Sequence, residues 1–143
     1  MKKTLVKIKI EMKQNLDKLQ FKSLLKFVSD CVFHVLYLYE ENYPNDVRPR
    51  KALEATELFI KNELKIKEAR NLSFSAHKAA REASIAAARY VARAAGHAVA
   101  TIHVKGHAVY ALSYALTAVS DDEIKLKQEE LWQEKCLFEL SQQ

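Results

Sequence analysis

The sequence predicts an all-α fold, a single bundle of five to six helices built around an alanine-rich pair of core helices. Alanine accounts for 16 of the 43 residues from 76 to 118, and it combines the best helix propensity with a side chain small enough for close helix packing. The 143 residues include only two glycines and two prolines, whereas β-sandwiches and barrels need many turns. We therefore expect no sheet beyond one short N-terminal strand.

The length of 143 residues fits one domain with a continuous core. We expect a single helical domain over 1–143, with a lysine-rich lead-in at 1–15 and a helical body at 16–140. Residues 1–26 carry eight lysines and two acidic residues, for a charge of +6, which leaves −1 for the rest. Nucleic-acid binding by this basic arm is an alternative function, but lysines interleaved with apolar residues are more typical of a solvated amphipathic face.

The cysteines and the apolar runs indicate in which cellular compartment the protein is found. Cys31 and Cys136 are too few for a disulfide scaffold, which indicates a reducing environment. Lys7 and Lys9 interrupt the first apolar run, so it does not resemble a signal peptide. The longest uncharged runs are shorter than the roughly 20 apolar residues that a helix needs to span a bilayer. We predict a cytoplasmic protein that neither crosses nor binds a membrane.

The N-terminal part contains an alternating segment followed by a long helix. Val6, Ile8 and Ile10 alternate with lysines, a period of two that fits a short strand or a frayed helical start. From about Leu16 the period is helical, and proline chemistry should end the helix before Pro44. The apolar stripe of this helix comprises Phe21, Leu24, Leu25, Val28, Cys31, Val32, Val35, Leu36 and Tyr39.

Two further helices precede the alanine-rich pair. Pro49 suits a first helical position, and Asn62 tolerates the left-handed conformation found after helix ends, so a helix should lie between them. The next helix should run from about Ile66 to Glu82. Ser84 is then a candidate N-cap for the first alanine-rich helix.

The alanine-rich region should break once, and one more helix should follow it. The first helical pattern spans 86–103 and resumes over 108–119, which predicts a kink or turn at 104–106, giving two helices or one bent helix. Ser120 and Glu123 have the spacing of a capping box, so a last helix should cover 121–140. One face of it carries Trp132, Cys136 and Leu140.

The histidines are the candidates for a metal site. His103 and His107 are four residues apart, which places two imidazoles on one helix face, and His97 joins them if the chain bends. Asp30 or His34 could complete the site from the first long helix. The alternative is that these side chains are hydrogen-bonded core or interface groups, because buried polar groups must be paired. We favour this alternative and expect no bound metal.

Other polar pairs give no sign of catalysis. Asp30 and His34 could form a carboxylate–imidazole pair, and His77 with Arg81 a second polar pair. A nucleophile elbow, a reactive cysteine motif and a phosphate-binding glycine loop are all absent from the sequence. We therefore predict no enzymatic activity and no cofactor. A basic ridge for phosphates would need one helix through Ser84, and Glu82 interrupts it.

The turn between the first two long helices is the candidate contact for a protein partner. Tyr43, Arg48 and Arg50 are residue types often found at binding hot spots. The alternative is that the arginines cap the turn and form local ion pairs, Arg50 with Glu54 four residues later. A homodimer is a further option, if the alanine-rich helices expose an apolar strip.

Four segments together are distinctive: DCVFHVL at 30–36, YPNDVRPRKALEA at 43–55, AHKAARE at 76–82 and AAGHAVATIHVKGHA at 94–108. They resemble the immunity-five-like group, a family of immunity proteins from bacterial toxin systems, over roughly residues 24–119. The lysine-rich start and the last helix carry none of the resemblance. It implies an all-helical protein that binds and neutralises a cognate protein toxin, and it assigns no catalytic residue.

Overall fold

The structure, a computed structural model, describes residues 5–142. Within them the fold is all-α, as predicted, with no strand and with eight helical segments, one of which is a single turn. The predicted number of five to six helices is too low, because the first long helix is divided and another helix precedes it. The segments are α1 (Ile10–Asp17), α2 (Phe21–Val35), α3 (Tyr37–Glu40), α4 (Arg48–Ile60), α5 (Ile66–Glu82), α6 (Ala86–Ala100), α7 (His107–Ala118) and α8 (Glu123–Ser141).

The N-terminal segment is extended but is not a strand. Residues 5–9 lie against α7, where the Val6 amide donates to Thr117 Oγ1 at 2.9 Å and the Ser113 hydroxyl donates to the Val6 carbonyl. Side chains of α7 therefore satisfy backbone groups that a partner strand would otherwise bond. Ile10 already begins α1, so of the two alternatives for this segment the short strand is wrong over 5–10. The lysines at 2 and 3 lie outside the described residues.

The predicted first long helix begins later than expected. Helix α1 buries Met12 and Leu16 and ends at Asp17, and α2 begins only at Phe21. The predicted apolar stripe from Phe21 to Tyr39 therefore lies in the stretch from α2 through α3, and Leu16 belongs to the separate helix α1. At the other end α2 continues almost directly into α3, and the chain leaves the helix before Pro44, as predicted.

The boundaries of α4 and α5 confirm the predictions from local signals. Pro49 lies in the first turn of α4, where its missing amide hydrogen costs nothing. Asn62 adopts a φ of 62°, the left-handed conformation expected after a helix end. Helix α5 runs from Ile66 to Glu82, as predicted.

The alanine-rich region forms two separate helices. Helix α6 ends at Ala100 and α7 begins at His107, which confirms the predicted interruption and selects two helices over one bent helix. Helix α6 packs against α2, α3, α4, α5 and α7. Its small side chains permit this central position, since the following alanines are at most 1% exposed: Ala88, Ala92, Ala94, Ala95 and Ala98.

Two predicted helix caps are displaced. The N-cap of α6 is Ile85 and has no side-chain cap, so Ser84 does not cap this helix. Helix α8 is capped by Asp122, whose Oδ1 accepts from the amides of Ile124 at 2.9 Å and Lys125 at 3.2 Å, instead of by Ser120. The predicted inner face of α8 does contact the core. Within 5–142 no helix is both long and apolar enough to cross a lipid bilayer.

Candidate functional site

The turn between α3 and α4 is held by a network centred on Asp46. Its Oδ2 accepts from the Tyr39 hydroxyl at 2.5 Å and from Arg48 Nη2 at 2.7 Å, and Arg48 Nη1 reaches Glu82 Oε1 at 3.1 Å. The Arg48 guanidinium holds the pKa of Asp46 well below its usual range. Burial, followed by the bond to Asp46, raises the pKa of Tyr39 far above its ordinary value. The network connects the turn to the end of α5.

Arg50 is engaged within the same region. Its Nη2 and Nε lie 2.6 and 2.8 Å from the two carboxylate oxygens of Glu40, a bidentate ion pair. The guanidinium carbon also lies 5.9 Å from the centroid of the Phe33 ring. The predicted pairing with Glu54 is therefore wrong, because Glu40 at the end of α3 offers the better geometry.

Tyr43 bonds the two residues that immediately precede α6, without supplying the N-cap predicted for Ser84. The Tyr43 hydroxyl oxygen accepts from the amides of Ser84 at 2.9 Å and Ile85 at 3.4 Å, and it lies 3.3 Å from the Ser84 hydroxyl. Hydrogen bonding with the Ser84 side chain and then with these amides lowers the pKa of Tyr43. A distant phenol thus satisfies free amides at the start of α6.

All three residues predicted to contact a partner, Tyr43, Arg48 and Arg50, therefore have intramolecular partners. Arg48 and Tyr43 attach the α3–α4 turn to the end of α5 and to the residues before α6, and Arg50 pairs with Glu40 of α3. Their role at an interface stays a prediction. Their structural role is evident from these contacts, which account for Tyr43, Arg48 and Arg50 without an external ligand.

The predicted pairing of Asp30 with His34 does not form. Asp30 accepts from Lys26 Nζ at 3.0 Å, one turn earlier on α2. His34 Nδ1 lies 2.6 Å from Glu129 Oε2, and its ring stacks on Trp132 with centroids 3.7 Å apart. These contacts join α2 to α8, and they place His34 in a different part of the molecule from the other histidines.

Two of the three histidines proposed for a metal site do meet. His97 Nδ1 and His107 Nδ1 lie 2.9 Å apart, so one ring donates its hydrogen and the other accepts it. His103 is not part of this pair, and both of its ring nitrogens are buried without a hydrogen-bond partner. In the described part of the chain, no three or more His, Cys, Asp or Glu side chains are grouped so that they could hold a metal ion.

His77 extends the histidine pair toward α5. Its Nδ1 lies 2.9 Å from Arg93 Nη1, not beside Arg81 as predicted, and arginine can only donate, so His77 accepts with a neutral ring. The rings of His77 and His97 meet edge to face, with centroids 4.9 Å apart. Gly96 allows this approach, since a Cβ there would lie only 2.6 Å from His77 Nε2.

The charges of these imidazoles are suppressed. Burial, and then the cationic neighbours Arg93 and Arg81 together with His107, lower the pKa of His77 to about 4. The pKa of His97 is also lowered to about 4, by burial first and then by His77, His107 and Arg93. Both rings are therefore neutral at pH 7, and no carboxylate is among the groups that shift their pKa values.

Tyrosines of α7 complete this region. The rings of Tyr110 and Tyr114 lie 5.4 and 5.5 Å from that of His97, and both are stacked on it. We call the side chains of His77, Arg93, His97, His107 and Tyr110 the histidine face. The residue numbers 107, 110 and 114 already have helical spacing, so the α7 part could have been found in the sequence. The approach of α5 to α6 could not have been found in the sequence, because it depends on packing around Gly96.

Comparison with known proteins identifies a family over most of the chain. The family model described as Imm-5 like putative immunity protein matches residues 14–139. The match extends the resemblance of residues 24–119 through nearly all of α8. No curated protein and no solved structure matches the chain significantly.

Proposed function

This chain belongs to the family of Imm-5 like immunity proteins, and we propose that it binds a bacterial protein toxin and neutralises it stoichiometrically. The observation that carries the proposal is the family match over residues 14–139. Immunity of this kind needs a preformed surface complementary to the toxin, because a rigid partner loses less conformational entropy on binding. The helical body with α6 at its centre is consistent with such a scaffold.

We further propose that the protein works without catalysis or a cofactor, as one helical domain in the cytoplasm. Sequence motifs for nucleophilic, phosphate-binding and redox chemistry are absent, so inhibition would rest on contact alone. The toxin would come from the same or a competing bacterium. The net charge of +5 disfavours a strongly basic toxin, since like-charged surfaces associate slowly.

Self-association stays a separate prediction. Most alanines of α6 are buried within the chain, which leaves little of the apolar strip that a second copy would cover. Light scattering at several concentrations measures the mass in solution. A mass that doubles with concentration would support the homodimer.

Co-expression tests the proposed function. Each gene that neighbours this one would be expressed in a heterologous bacterium, with and without this protein, and growth would be followed. We expect one neighbour to be toxic and this protein to restore growth. If no neighbour is toxic, and purified protein retains nucleic acid in a salt-sensitive way, the nucleic-acid alternative is favoured instead.

A further inference from the structure

We propose that the histidine face and the arginines of α5 beside it form the toxin-binding surface, and that the toxin presents aspartate or glutamate side chains to it. This inference rests on the proposed immunity function and names the surface and the chemistry of the partner. It replaces the α3–α4 turn as the principal contact. The reasons are the segregation of charge, the residue types on the surface and the lack of carboxylate partners for three of its arginines among residues 5–142.

Acidic residues are missing from most of the sequence that forms α5, α6 and α7. The sequence from 83 to 120, which includes α6 and α7, contains no aspartate or glutamate, and α5 contains none between 69 and 81. The same stretches contain six arginines and lysines: Arg70, Lys78, Arg81, Arg89, Arg93 and Lys105. Arg81 and Arg93 act on the pKa of His77 and therefore lie close to the histidine face, and Arg70 acts on the pKa of His103, which in turn is close to His107. The surface is therefore cationic.

These arginines are not neutralised internally. Among residues 5–142, the carboxylates that form ion pairs bond Lys9, Lys26, His34, Arg48 and Arg50, and none lies within 4.0 Å of a guanidinium nitrogen of Arg70, Arg81 or Arg93. Arg48 and Arg50, by contrast, each have a carboxylate in place. At the histidine face, an incoming carboxylate would bind a guanidinium that has no carboxylate partner within the described residues. At the turn, it would have to displace the carboxylate that is already bound.

The residue types also fit a protein interface. On α5, Arg70, Phe74, His77 and Arg81 are spaced by four, three and four residues, so they lie on one helix face. The Phe74 side chain is 63% exposed and that of Tyr110 is 53% exposed, although both are large aromatic groups. Tyrosine and arginine dominate binding hot spots, and rings already stacked lose little entropy on binding.

A carboxylate suits the polar groups that this surface offers. The His77 Nδ1 contact occupies one nitrogen of Arg93, and the remaining guanidinium hydrogens can donate to two carboxylate oxygens. In the described chain the Tyr110 hydroxyl has no hydrogen-bond partner among protein groups, so it can donate as well. The imidazoles of His77 and His97 are neutral and fix the position of these donors instead of adding charge.

A nucleic acid fits this surface less well. Tight nucleic-acid binding requires several phosphate contacts, each made by a basic side chain. The surface offers three arginines close to the histidines, and the imidazoles of His77 and His97 are uncharged at pH 7. A short acidic segment of a folded protein needs only one or two such pairs, with the aromatic side chains supplying the remaining contact area.

A direct test uses two labelled probes of similar charge, a peptide of ten glutamates and a thymidine decanucleotide. Fluorescence anisotropy at low ionic strength would measure their binding to the full-length protein. We expect saturable binding of the peptide, weakened about 3-fold to 10-fold by Arg81→Ala and by Tyr110→Ala, which alter exposed side chains and should not unfold the protein. The matched control is Arg50→Ala, which should leave peptide binding within 2-fold of the wild type.

Three results would overturn the inference: no saturable peptide binding, peptide binding that Arg81→Ala and Tyr110→Ala leave unchanged, or decanucleotide binding that is tighter and lost in the same variants. A second arm repeats the growth assay with Arg81→Glu combined with Tyr110→Ala. If the wild type protects against a neighbouring toxin and this variant protects equally well, the surface is wrongly placed while the immunity function stands. If the wild type protects against none, the proposed function itself fails.

Discussion

Replacing Gly96 by alanine tests how closely α5 approaches α6 at the histidine face. An added Cβ would lie 2.6, 2.7 and 2.8 Å from three atoms of the His77 ring, well inside van der Waals contact. Relieving this overlap requires His77 to leave its contacts with Arg93 and His97, and overpacking of this kind costs about 1–3 kcal/mol. Alanine in a helix interior gains about 0.5–1 kcal/mol over glycine. We expect a net destabilisation of about 1–2 kcal/mol.

The same substitution in a His77→Ala background reverses the sign of this effect. Without the imidazole nothing opposes the new methyl group, so Gly96→Ala should stabilise the protein by about 0.5–1 kcal/mol through helix propensity. The coupling energy of the double-mutant cycle is then about 2 kcal/mol. Urea unfolding followed by far-UV circular dichroism measures all four proteins. A Gly96→Ala change that stabilises the wild type as well would refute the close approach of the two helices.

Four further perturbations have predicted outcomes. Since the pKa values of His77 and His97 are about 4 in the folded protein against about 6.5 unfolded, the unfolded chain binds protons first as the pH falls. Stability should therefore be highest above about pH 6.5 and decrease by about 3 kcal/mol toward pH 4.5, allowing for coupling between the two rings, in urea unfolding at a series of pH values. Tyr43→Phe should cost about 0.5–1.5 kcal/mol, because the amides of residues 84 and 85 lose their acceptor; an unchanged melting temperature would contradict this role. Asp46→Asn should lower the free energy of unfolding by about 1–3 kcal/mol, because it weakens the hydrogen bonds from the Tyr39 hydroxyl and the Arg48 guanidinium. Chemical denaturation measures this change. Asp122→Ala should cost about 1 kcal/mol as the loss of an N-cap, and equal stability of this variant and the wild type would show that the cap is dispensable.

Local chemistry accounts for the elements that the sequence predicted well. Helix α5 and the ends of α4 follow from signals carried by the chain itself, such as Pro49 in the first turn and Asn62 after the last. The interruption between α6 and α7 follows from the change in pattern around Gly106. Helix α1 was missed because only two of its residues, Met12 and Leu16, are buried, and they lie among lysines and other polar side chains.

The prediction that placed His103 and His107 on one helix face is wrong, because α6 ends at Ala100 and α7 begins only at His107. The meeting of His97 and His107 requires the turn after α6 as well as the spacing of residues on α7. His34 instead bonds Glu129, 95 residues later, which depends on where α8 docks. Arg48 likewise reaches Glu82 at the end of α5. Contacts at such separations carry no periodic signal, so a single sequence does not reveal them.

Titration of a toxin with this protein tests the central claim most directly. The toxin identified by co-expression would be incubated with increasing amounts of purified protein, at concentrations far above their dissociation constant, and its residual activity measured. Stoichiometric binding predicts a linear decrease that reaches zero at one molar equivalent and does not change with incubation time. Complete inactivation by a small fraction of an equivalent, progressing with time, would show instead that the protein acts as a catalyst and would contradict the account.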